Sequence, residues 1–315
     1  MIDFRYHLVS LIAVFLAVAL GIIIGTTALN APILADIKNQ VSALEGDKRS
    51  LEDRTQQLQS QVDSTDAFAD AVAPVLVDKA LAGKSVLIVV TNEDVPTDTV
   101  DQVTALIQSA GGTVSGTLTL QPEYSDPSTA TSLQNYVTGS GLPAGVTLPQ
   151  VDDPGKLVGS LLAQVLMKPP AGPAPERAAI SSVLAGLSAL NVVTAQGDSV
   201  APADYAVILT AGAFTGADAA DRNGTVADLV TALDSAGSGA VVAGDAASAE
   251  KNGLVGVIRA DPKLSAALST VDNVGTSAGR ISTVLALDSE GEGTSGKYGT
   301  GEDTQPVPPV PAPAP

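Results

Sequence analysis

Carboxylates that follow buried strands are the residues of this sequence whose type and position best suit chemistry. Glu93 and Asp94 follow an apolar run that is typical of a buried strand, and Asp245 follows another such run. Because ligands of open α/β sheets bind beyond the carboxyl ends of the strands, an acidic pair there suits Mg²⁺. The same acids can instead cap the next helix and complement its dipole, and we favour this second interpretation.

Other arrangements of catalytic residues are missing from the sequence. The chain has no cysteine and one histidine, His7, so it offers no thiolate nucleophile and no Ser-His-Asp triad beyond its N-terminal segment. No GxxxxGKS/T loop is present, no GxGxxG turn follows the first strand, and no spacing singles out a catalytic carboxylate pair. We therefore predict that the protein is not an enzyme and has no catalytic residue, no metal site and no cofactor.

The charge of the chain limits its partners. The 315 residues include 34 acidic and 16 basic ones, and the net charge is −18. Binding along nucleic acid needs clustered Lys and Arg side chains, which are scattered here, so we expect no nucleic-acid partner. The acidic surface favours instead a protein partner with a basic patch.

Residues 8–29 form an uncharged apolar segment that is long enough to anchor the chain in a membrane. At ~1.5 Å per residue it spans ~33 Å, which matches a hydrocarbon core of ~30 Å. The alternative is a cleaved signal peptide, but the segment is longer than a signal core and residues 30–33 make a poor cleavage site. Residues 1–30 are therefore predicted to be a cytoplasmic stub and an uncleaved transmembrane signal anchor.

Flanking charges predict the orientation of this single-pass helix. Arg5 and His7 precede it, and the next basic residue is Lys38. The positive-inside rule then predicts a cytoplasmic N-terminus and places everything after residue 30 outside the cytoplasm. Gly21 and Gly25 have the GxxxG spacing that lets membrane helices pack closely, although glycine is also simply common in such helices.

Residues 31–66 repeat apolar side chains at heptad spacing, which predicts a parallel coiled coil and a homodimer. Together with Gly21 and Gly25, the predicted dimerisation residues are Leu34, Ile37, Val41, Leu44, Leu51, Leu58 and Val62. Lys48 also occupies an interface position, where it disfavours other registers and higher oligomers. The alternative is an amphipathic helix packed on its own domain, but the remaining faces of the segment are largely polar.

Residues 67–290 alternate buried-type strands with helices, which predicts an extracytoplasmic α/β domain with a sheet covered on both faces. The predicted strands are residues 84–91, 112–120, 204–210 and 238–244. The first predicted helix begins at Pro96 and ends at the glycines of residues 111–112. Further helices are predicted at residues 133–137, 157–167, 180–190, 225–235 and 277–289, with a short element at 249–260. This order resembles a Rossmann-like or flavodoxin-like three-layer fold. Residues 291–315, rich in Gly and Pro, are predicted to form a disordered tail.

The opening sequence MIDFRYHLVSLIAVFLAVALGIIIG resembles that of the actinobacterial MctB family of copper transport proteins. The residues that carry the resemblance are Asp3, Phe4, Arg5, Tyr6, His7, Thr270, Val271, Asp272, Gly279, Tyr298 and Gly299. The resemblance implies a role in copper transport or copper homeostasis in the cell envelope. Relatives are also linked to cell separation, as coiled-coil partners in the control of peptidoglycan hydrolysis.

The residue chemistry does not fit direct copper transport. Copper(I) prefers thiolate and thioether ligands and copper(II) prefers imidazole, yet Met167 is the one such side chain after the apolar segment. One membrane helix without a polar stripe does not line an ion path. We therefore expect a copper-related envelope protein without direct soft-ligand copper binding. The alternative is a non-catalytic dimeric scaffold that regulates cell separation through an envelope or membrane protein partner.

Overall fold

The computed structural model describes residues 4–139, 142–196 and 200–310, apart from the side chains of residues 26–35. Asp3, the side chain of Leu34 and residues 311–315 of the predicted tail therefore lie outside the described residues. The chain divides into two compact units, Met1–Thr65 and Asp66–Pro315.

The described residues of the first unit all belong to α1 (Phe4–Leu76). Within α1, Phe4–Gly25 is long and apolar enough to cross a membrane, and none of it is buried within the chain. This confirms a membrane-length apolar helix near the N-terminus. The helix begins earlier than the predicted segment, because Phe4 to His7, predicted as the cytoplasmic stub, continue the same helical turns.

The second unit is built on a sheet that has seven strands within the described residues. They are β1 (Ser85–Val90), β2 (Thr113–Leu120), β3 (Val193–Gln196), β4 (Tyr205–Thr210), β5 (Ala240–Gly244), β6 (Ser269–Val271) and β7 (Lys297–Tyr298). Their order is β3-β2-β1-β4-β5-β6-β7, and every pair is parallel except β2 with β3. Because β1, β4 and β5 are buried along their whole length, they appear in the sequence as continuous apolar runs.

Helices cover both faces of this sheet. They are α2 (Thr97–Ser109), α3 (Ala130–Thr138), α4 (Pro154–Leu166), α5 (Arg177–Ala189), α6 (Ala219–Ala236), α7 (Leu254–Ala260), α8 (Pro262–Ala267) and α9 (Ser277–Gly291). Leu87 and Val89 of β1 pack in the core that holds α3 to α7. Val86 and Ile88 pack on the opposite side with α2, α9 and the end of α1. This alternation confirms the predicted α/β class.

The chain reverses its direction along the sheet between β1 and β4. From β1 it first adds β2 on one side and later returns to add β4, β5 and β6 on the other. The parallel strands β2-β1-β4-β5-β6 thus follow the flavodoxin-like order, in which ligands bind beyond the carboxyl ends of the strands at this switch point. Residues 91–94 and 211–214 follow the two strands there and position any site.

The C-terminal segment differs from the predicted tail. Tyr298 is buried in β7, within residues 291–315, and the main chain of Gly299 donates to the carbonyl oxygen of Gln305. Gln305 in turn donates its N–H to Lys297. These residues are ordered against the sheet because Tyr298 supplies a large side chain to its core. The prediction of disorder was wrong for this part of the segment.

Candidate functional site

A crevice lies at the switch point, where β1 and β4 end. It contains two cavities of about 90 and 230 Å³ that share Thr91, Asn92, Asp94, Phe214 and Val226 as lining residues. The smaller cavity adds Asn223 and the residues directly after β4. The larger cavity adds Glu93, Arg222 and the turn at residues 120–125. Residues far apart in the sequence thus meet at the place where this sheet order favours a ligand.

Several buried oxygen atoms around the crevice have no hydrogen-bond partner among the described residues. They are Oγ1 of Thr91, Oδ1 of Asn92, Oδ1 of Asn223 and the hydroxyl oxygen of Tyr124. Leaving such a buried group without a partner costs about 1–3 kcal/mol, so native proteins keep few of them. Four in one crevice indicate a place where partners come from outside the chain.

The two asparagines present their oxygen atoms as acceptors. Asn92 Nδ2 donates to the carbonyl oxygen of Ala211 at 2.8 Å. Asn223 Nδ2 donates to the carbonyl oxygens of Ala219 at 3.0 Å and Asn252 at 2.8 Å. Flipping either amide would set oxygen against oxygen, so the hydrogen bonds fix both orientations.

Arg222 supplies a positive charge to the larger cavity. Its guanidinium lies 4.4 Å from the centroid of the Phe214 ring and donates to Ser125 Oγ and to the carbonyl oxygen of Pro122, both at 3.3 Å. No carboxylate of the described residues forms an ion pair with it. Burial raises the pKa of the nearby Tyr124 hydroxyl, so that group stays neutral.

The acids predicted as caps have different roles. Glu93 and Asp94 do not cap α2, which begins after Pro96 without a side-chain cap, so the capping interpretation of this pair was wrong. They instead line the crevice as exposed carboxylates. Asp245 Oδ1 accepts the N–H of Ser248 at 2.8 Å, as expected of an acid that caps the turn after β5, and the N–H of Gly212 at 3.0 Å, which ties the end of β5 to the end of β4.

The C-terminal signature residues meet where β6 and β7 end. Asp272 directly follows β6, and its Oδ2 lies 2.7 Å from Nη1 of Arg259 on α7. Its carboxylate also accepts the N–H groups of Thr300 at 2.7 Å and Gly301 at 3.0 Å. Burial by itself would raise the pKa of the Asp272 carboxyl, but these hydrogen bonds and the Arg259 charge lower it below its usual value.

The other C-terminal signature residues complete this cluster. Arg259 Nε donates to Thr270 Oγ1 at 2.9 Å, and its Nη2 donates to the carbonyl oxygen of Tyr298 at 2.9 Å. Gly299 has a φ of +129°, and a Cβ atom there would overlap the Asp272 carboxylate. The backbone of Gly279 is packed as closely against Asn273, and Val271 is buried. These residues therefore join α7, β6, β7 and α9 through packing and hydrogen bonds.

The signature and dimerisation residues of the N-terminal unit lie along α1. Phe4, Arg5, Tyr6 and His7 are exposed in its first turns, and a Cβ atom added at Gly21 or Gly25 would meet nothing within 4 Å. The predicted heptad residues are 47–66% exposed in the single chain: Ile37, Val41, Leu44, Leu51, Leu58 and Val62. The coiled coil and the dimer stay predictions.

A polar cluster at the amino ends of β1 and β4 was missed from the sequence. Ser85 Oγ donates to Asp204 Oδ2 at 2.6 Å, and Lys168 Nζ donates to Ser85 Oγ at 2.7 Å and to Asp204 Oδ2 at 3.1 Å. A Ser-Lys pair is a nucleophile and base only when the lysine is neutral. Here the ammonium is bound by a carboxylate, so the cluster joins the two strands and the loop after α4.

Asn223 and Arg259 were also missed. Both are polar residues on helices otherwise rich in apolar side chains, and each has one partner at least 29 residues away, Asn252 for Asn223 and Tyr298 for Arg259. The sequence offered one indication for Asn223, an amide side chain at helical spacing from the apolar residues of the helix predicted at 225–235.

Comparison with known proteins settles the family. A sequence model described as "Copper transport outer membrane protein, MctB" matches residues 1–309. The chain belongs to the MctB family. It is 36% identical over 312 residues to the copper transporter MctB of Mycobacterium bovis and of Mycobacterium tuberculosis, which covers 98% of this chain and 99% of each relative. The MctB of Mycobacterium leprae is 35% identical over 309 residues, 96% of this chain and 97% of the relative. The resemblance seen in the sequence is therefore confirmed.

This MctB-family chain offers copper few suitable ligands. Met167 is 1% exposed, and His7 lies at the start of the apolar span. No group of three or more His, Cys, Asp or Glu side chains that suits a metal ion lies within the described part of the chain. The donor set does not fit a selective copper site, in which thiolate, thioether or imidazole ligands are expected.

Proposed function

We propose that this MctB-family protein contributes to copper homeostasis in the cell envelope as a single-pass, non-catalytic membrane protein that does not itself hold copper on soft ligands. The family description and the relatives' name, copper transporter, support the copper role. The observation that carries the rest is the ligand inventory: no cysteine, one histidine beside the apolar span and one buried methionine after it. Copper, as cargo, is then handled by a partner.

The orientation follows from charge. Arg5 and His7 precede the uncharged segment, residues 8–29, and Lys38 is the next basic residue, which favours a cytoplasmic N-terminus and an extracytoplasmic α/β domain. The net charge of −18 favours a protein partner that carries a basic patch.

A copper-binding assay on the full chain in lipid nanodiscs tests this proposal. Equilibrium dialysis with copper(I) under reducing conditions and with copper(II) should give no stoichiometric binding at micromolar metal. The Met167→Leu variant, which removes the thioether at similar volume, should behave in the same way. Stoichiometric binding that is lost in Met167→Leu would overturn the proposal.

A second function, a dimeric scaffold that regulates cell separation, is favoured by the exposed apolar stripe on α1. Side chains such as Leu44 and Leu51 are more than 60% exposed and recur at heptad spacing. An exposed stripe of this kind is stabilised when a second helix covers it. Association of two chains would present two α/β domains to one partner.

Sedimentation of the full chain in detergent tests the scaffold. The wild-type chain should be a dimer, and Leu51→Asp should make it monomeric because a buried charge at the interface has no partner. Gln57→Asp, on an outer heptad position, adds the same charge and should stay dimeric. A monomeric wild-type chain would remove the scaffold hypothesis.

Deletion in cells separates the two functions. If copper homeostasis is the role, a deletion strain should change its cellular copper content while septa split normally. If the scaffold is the role, chains of cells should remain attached at normal cellular copper. Complementation with Leu51→Asp and Gln57→Asp then shows which of the two phenotypes needs the dimer.

A further inference from the structure

The crevice at the switch point has a feature that no copper or scaffold function uses: its free hydrogen-bonding groups near the smaller cavity are acceptors. Asn223 donates its amide nitrogen to two backbone carbonyls and Asn92 donates its amide nitrogen to one, and the side-chain oxygen atoms of both have no partner among the described residues. Asn223 is 1% exposed and Thr91 is 8% exposed, so these acceptors are shielded from bulk water. Such a set is matched by a group that only donates, and an ammonium is the smallest such organic group.

Negative charge lies beside these acceptors. Asp94 lines both cavities, and Glu93 lines the larger one. A carboxylate next to shielded amide oxygens strengthens the attraction for a cation, because hydrogen bonds between ionised groups are about twice as strong as neutral ones.

The larger cavity adds the opposite charge. Arg222 lines it but not the smaller cavity. Its guanidinium is held in place by the Phe214 ring and by Ser125, and within the described residues no carboxylate forms an ion pair with it. A fixed guanidinium of this kind favours a carboxylate ligand, which it contacts through two N–H groups.

The lining between the two charged ends is apolar and short. Phe214 and Val226 line both cavities, whose volumes of about 90 and 230 Å³ are each below the roughly 300–1,000 Å³ of pockets for drug-sized ligands. The space suits one or two amino-acid residues with small side chains.

We propose that the switch-point crevice binds a small zwitterion, an α-amino acid or dipeptide. Its ammonium group lies among Asn92, Asn223 and Asp94, and its carboxylate lies against Arg222. The ligand supplies the donors that the buried oxygen atoms lack, and the Phe214 and Val226 side chains cover its apolar part. This site is separate from the α1 stripe and does not depend on the copper or scaffold proposals.

Calorimetric titration of the full chain in lipid nanodiscs tests the proposal with matched probes. L-alanine and L-alanyl-L-alanine carry both charges, L-alaninamide lacks the carboxylate, and N-acetyl-L-alanine lacks the ammonium. At least one of the two zwitterions should bind. Each blocked compound should bind at least about tenfold more weakly, because it loses one of the two charge-assisted interactions.

Two substitutions assign the two ends of the crevice. Asp94→Asn should weaken the zwitterion and L-alaninamide, and Arg222→Gln should weaken the zwitterion and N-acetyl-L-alanine, each about tenfold. Asp98→Asn on α2 and Arg177→Gln on α5 change the same charges at exposed positions outside the crevice and should leave binding unchanged. Circular dichroism of each variant confirms that it is folded.

Three results would overturn the proposal. One is failure of both zwitterions to bind at about 10 mM, the limit of useful affinity, which would assign the acceptors to ordered water. Another is equal binding of the zwitterions and the blocked compounds. The third is a loss of affinity in the two control variants as large as in Asp94→Asn and Arg222→Gln.

Discussion

Two places at the same edge of the sheet, both at carboxyl ends of parallel strands, differ in how their polar groups are satisfied. At the end of β6, Asp272 receives hydrogen bonds from Arg259, Thr300 and Gly301. At the ends of β1 and β4, Thr91 and Asn223 leave buried oxygen atoms without a partner in the described residues. We call these places the closed end and the open end.

The difference arises from the chain that follows each strand. After β6 and α9 the chain returns as β7, and the backbone of residues 299–301 fills the space beside Asp272. After β1 and β4 the chain enters α2 and α6, and no donor within the described residues reaches the free oxygen atoms of Thr91 and Asn223. A polar residue at a strand end is thus structural where the chain returns to satisfy it and available to a ligand where it does not.

Breaking the closed end should have the largest effect on stability. In Arg259→Met the buried carboxylate of Asp272 loses its counter-charge, which costs about 3–5 kcal/mol. Thermal unfolding of the full chain in nanodiscs, followed by circular dichroism, measures the loss. Arg177→Met, at an exposed position on α5, is the control and should change stability by less than about 0.5 kcal/mol. If Arg259→Met also changed the free energy of unfolding by less than about 0.5 kcal/mol, the Arg259–Asp272 pair at the closed end would not stabilise the fold.

Gly299→Ala tests whether the return of the chain is what closes the end. The residue has a φ of +129°, and its Cβ atom would overlap the Asp272 carboxylate. We expect a loss of about 2 kcal/mol or more, from backbone strain together with displacement of the carboxylate. Gly293→Ala is a matched control, because Gly293 also has a positive φ, +76°, but nothing lies within 4 Å of its Cβ position. Equal losses in both variants would mean that strain alone, and not the contact with Asp272, matters.

The sequence predicted those parts of the fold that are determined locally. β1, β4 and β5 were predicted because strands buried on both faces read as apolar runs, and the apolar part of α1 was predicted from its length. β3, β6 and β7 were missed because two to four residues show no periodicity and are held by partners distant in the sequence.

Two lining residues of the candidate site could be placed from the sequence, but no site was predicted there. Glu93 and Asp94 were placed correctly at the end of the first strand, yet their role as caps was wrong because α2 begins only after Pro96. Asn223 and Arg222 come from α6, which follows a different strand, so only the folded sheet brings them beside Asp94. The sequence pattern predicts where strands end but not the order in which they lie in the sheet.

The pH dependence of stability compares two acids, Asp234 and Asp272, whose pKa values are shifted in opposite directions. It tests whether burial or hydrogen-bond partners decide the direction of each shift. Asp234, near the amino end of β5, accepts one N–H, from Ala240, and burial raises its pKa to about 6. Because the folded pKa lies above the unfolded value of 3.8, the neutral acid is favoured by folding, and stability falls as the pH rises from about 4 through 6.

Asp234→Asn should therefore raise stability at pH 7.5 by about 1–2 kcal/mol, a value discounted for partial exposure, and change little at pH 4. Asp272 has the opposite sign, since its lowered pKa makes stability fall as the pH drops below the usual range for aspartate. Thermal unfolding at these two pH values measures the Asp234 trend, and unfolding at a pH below the usual range for aspartate measures the Asp272 trend. A loss of stability in Asp234→Asn at pH 7.5 would show that the ionised carboxylate, and not its burial, decides the balance.

The smallest expected change in stability comes from replacing a buried threonine by valine. Its sign should differ between a threonine whose hydroxyl has a hydrogen-bond partner and one whose hydroxyl lacks one. Thr91→Val replaces a buried hydroxyl, which has no partner among the described residues, by a methyl group of similar size, and it should raise stability by about 1 kcal/mol. Thr283→Val on α9 makes the same exchange where the hydroxyl donates to the carbonyl oxygen of Gly279 at 2.9 Å, and it should lower stability by about 1 kcal/mol. Urea unfolding of both variants in the full chain measures the pair. If Thr91→Val instead destabilises the protein as much as Thr283→Val does, the Thr91 hydroxyl has a partner in solution, such as an ordered water, and the crevice is less open to a ligand than its unpartnered oxygen atoms indicate.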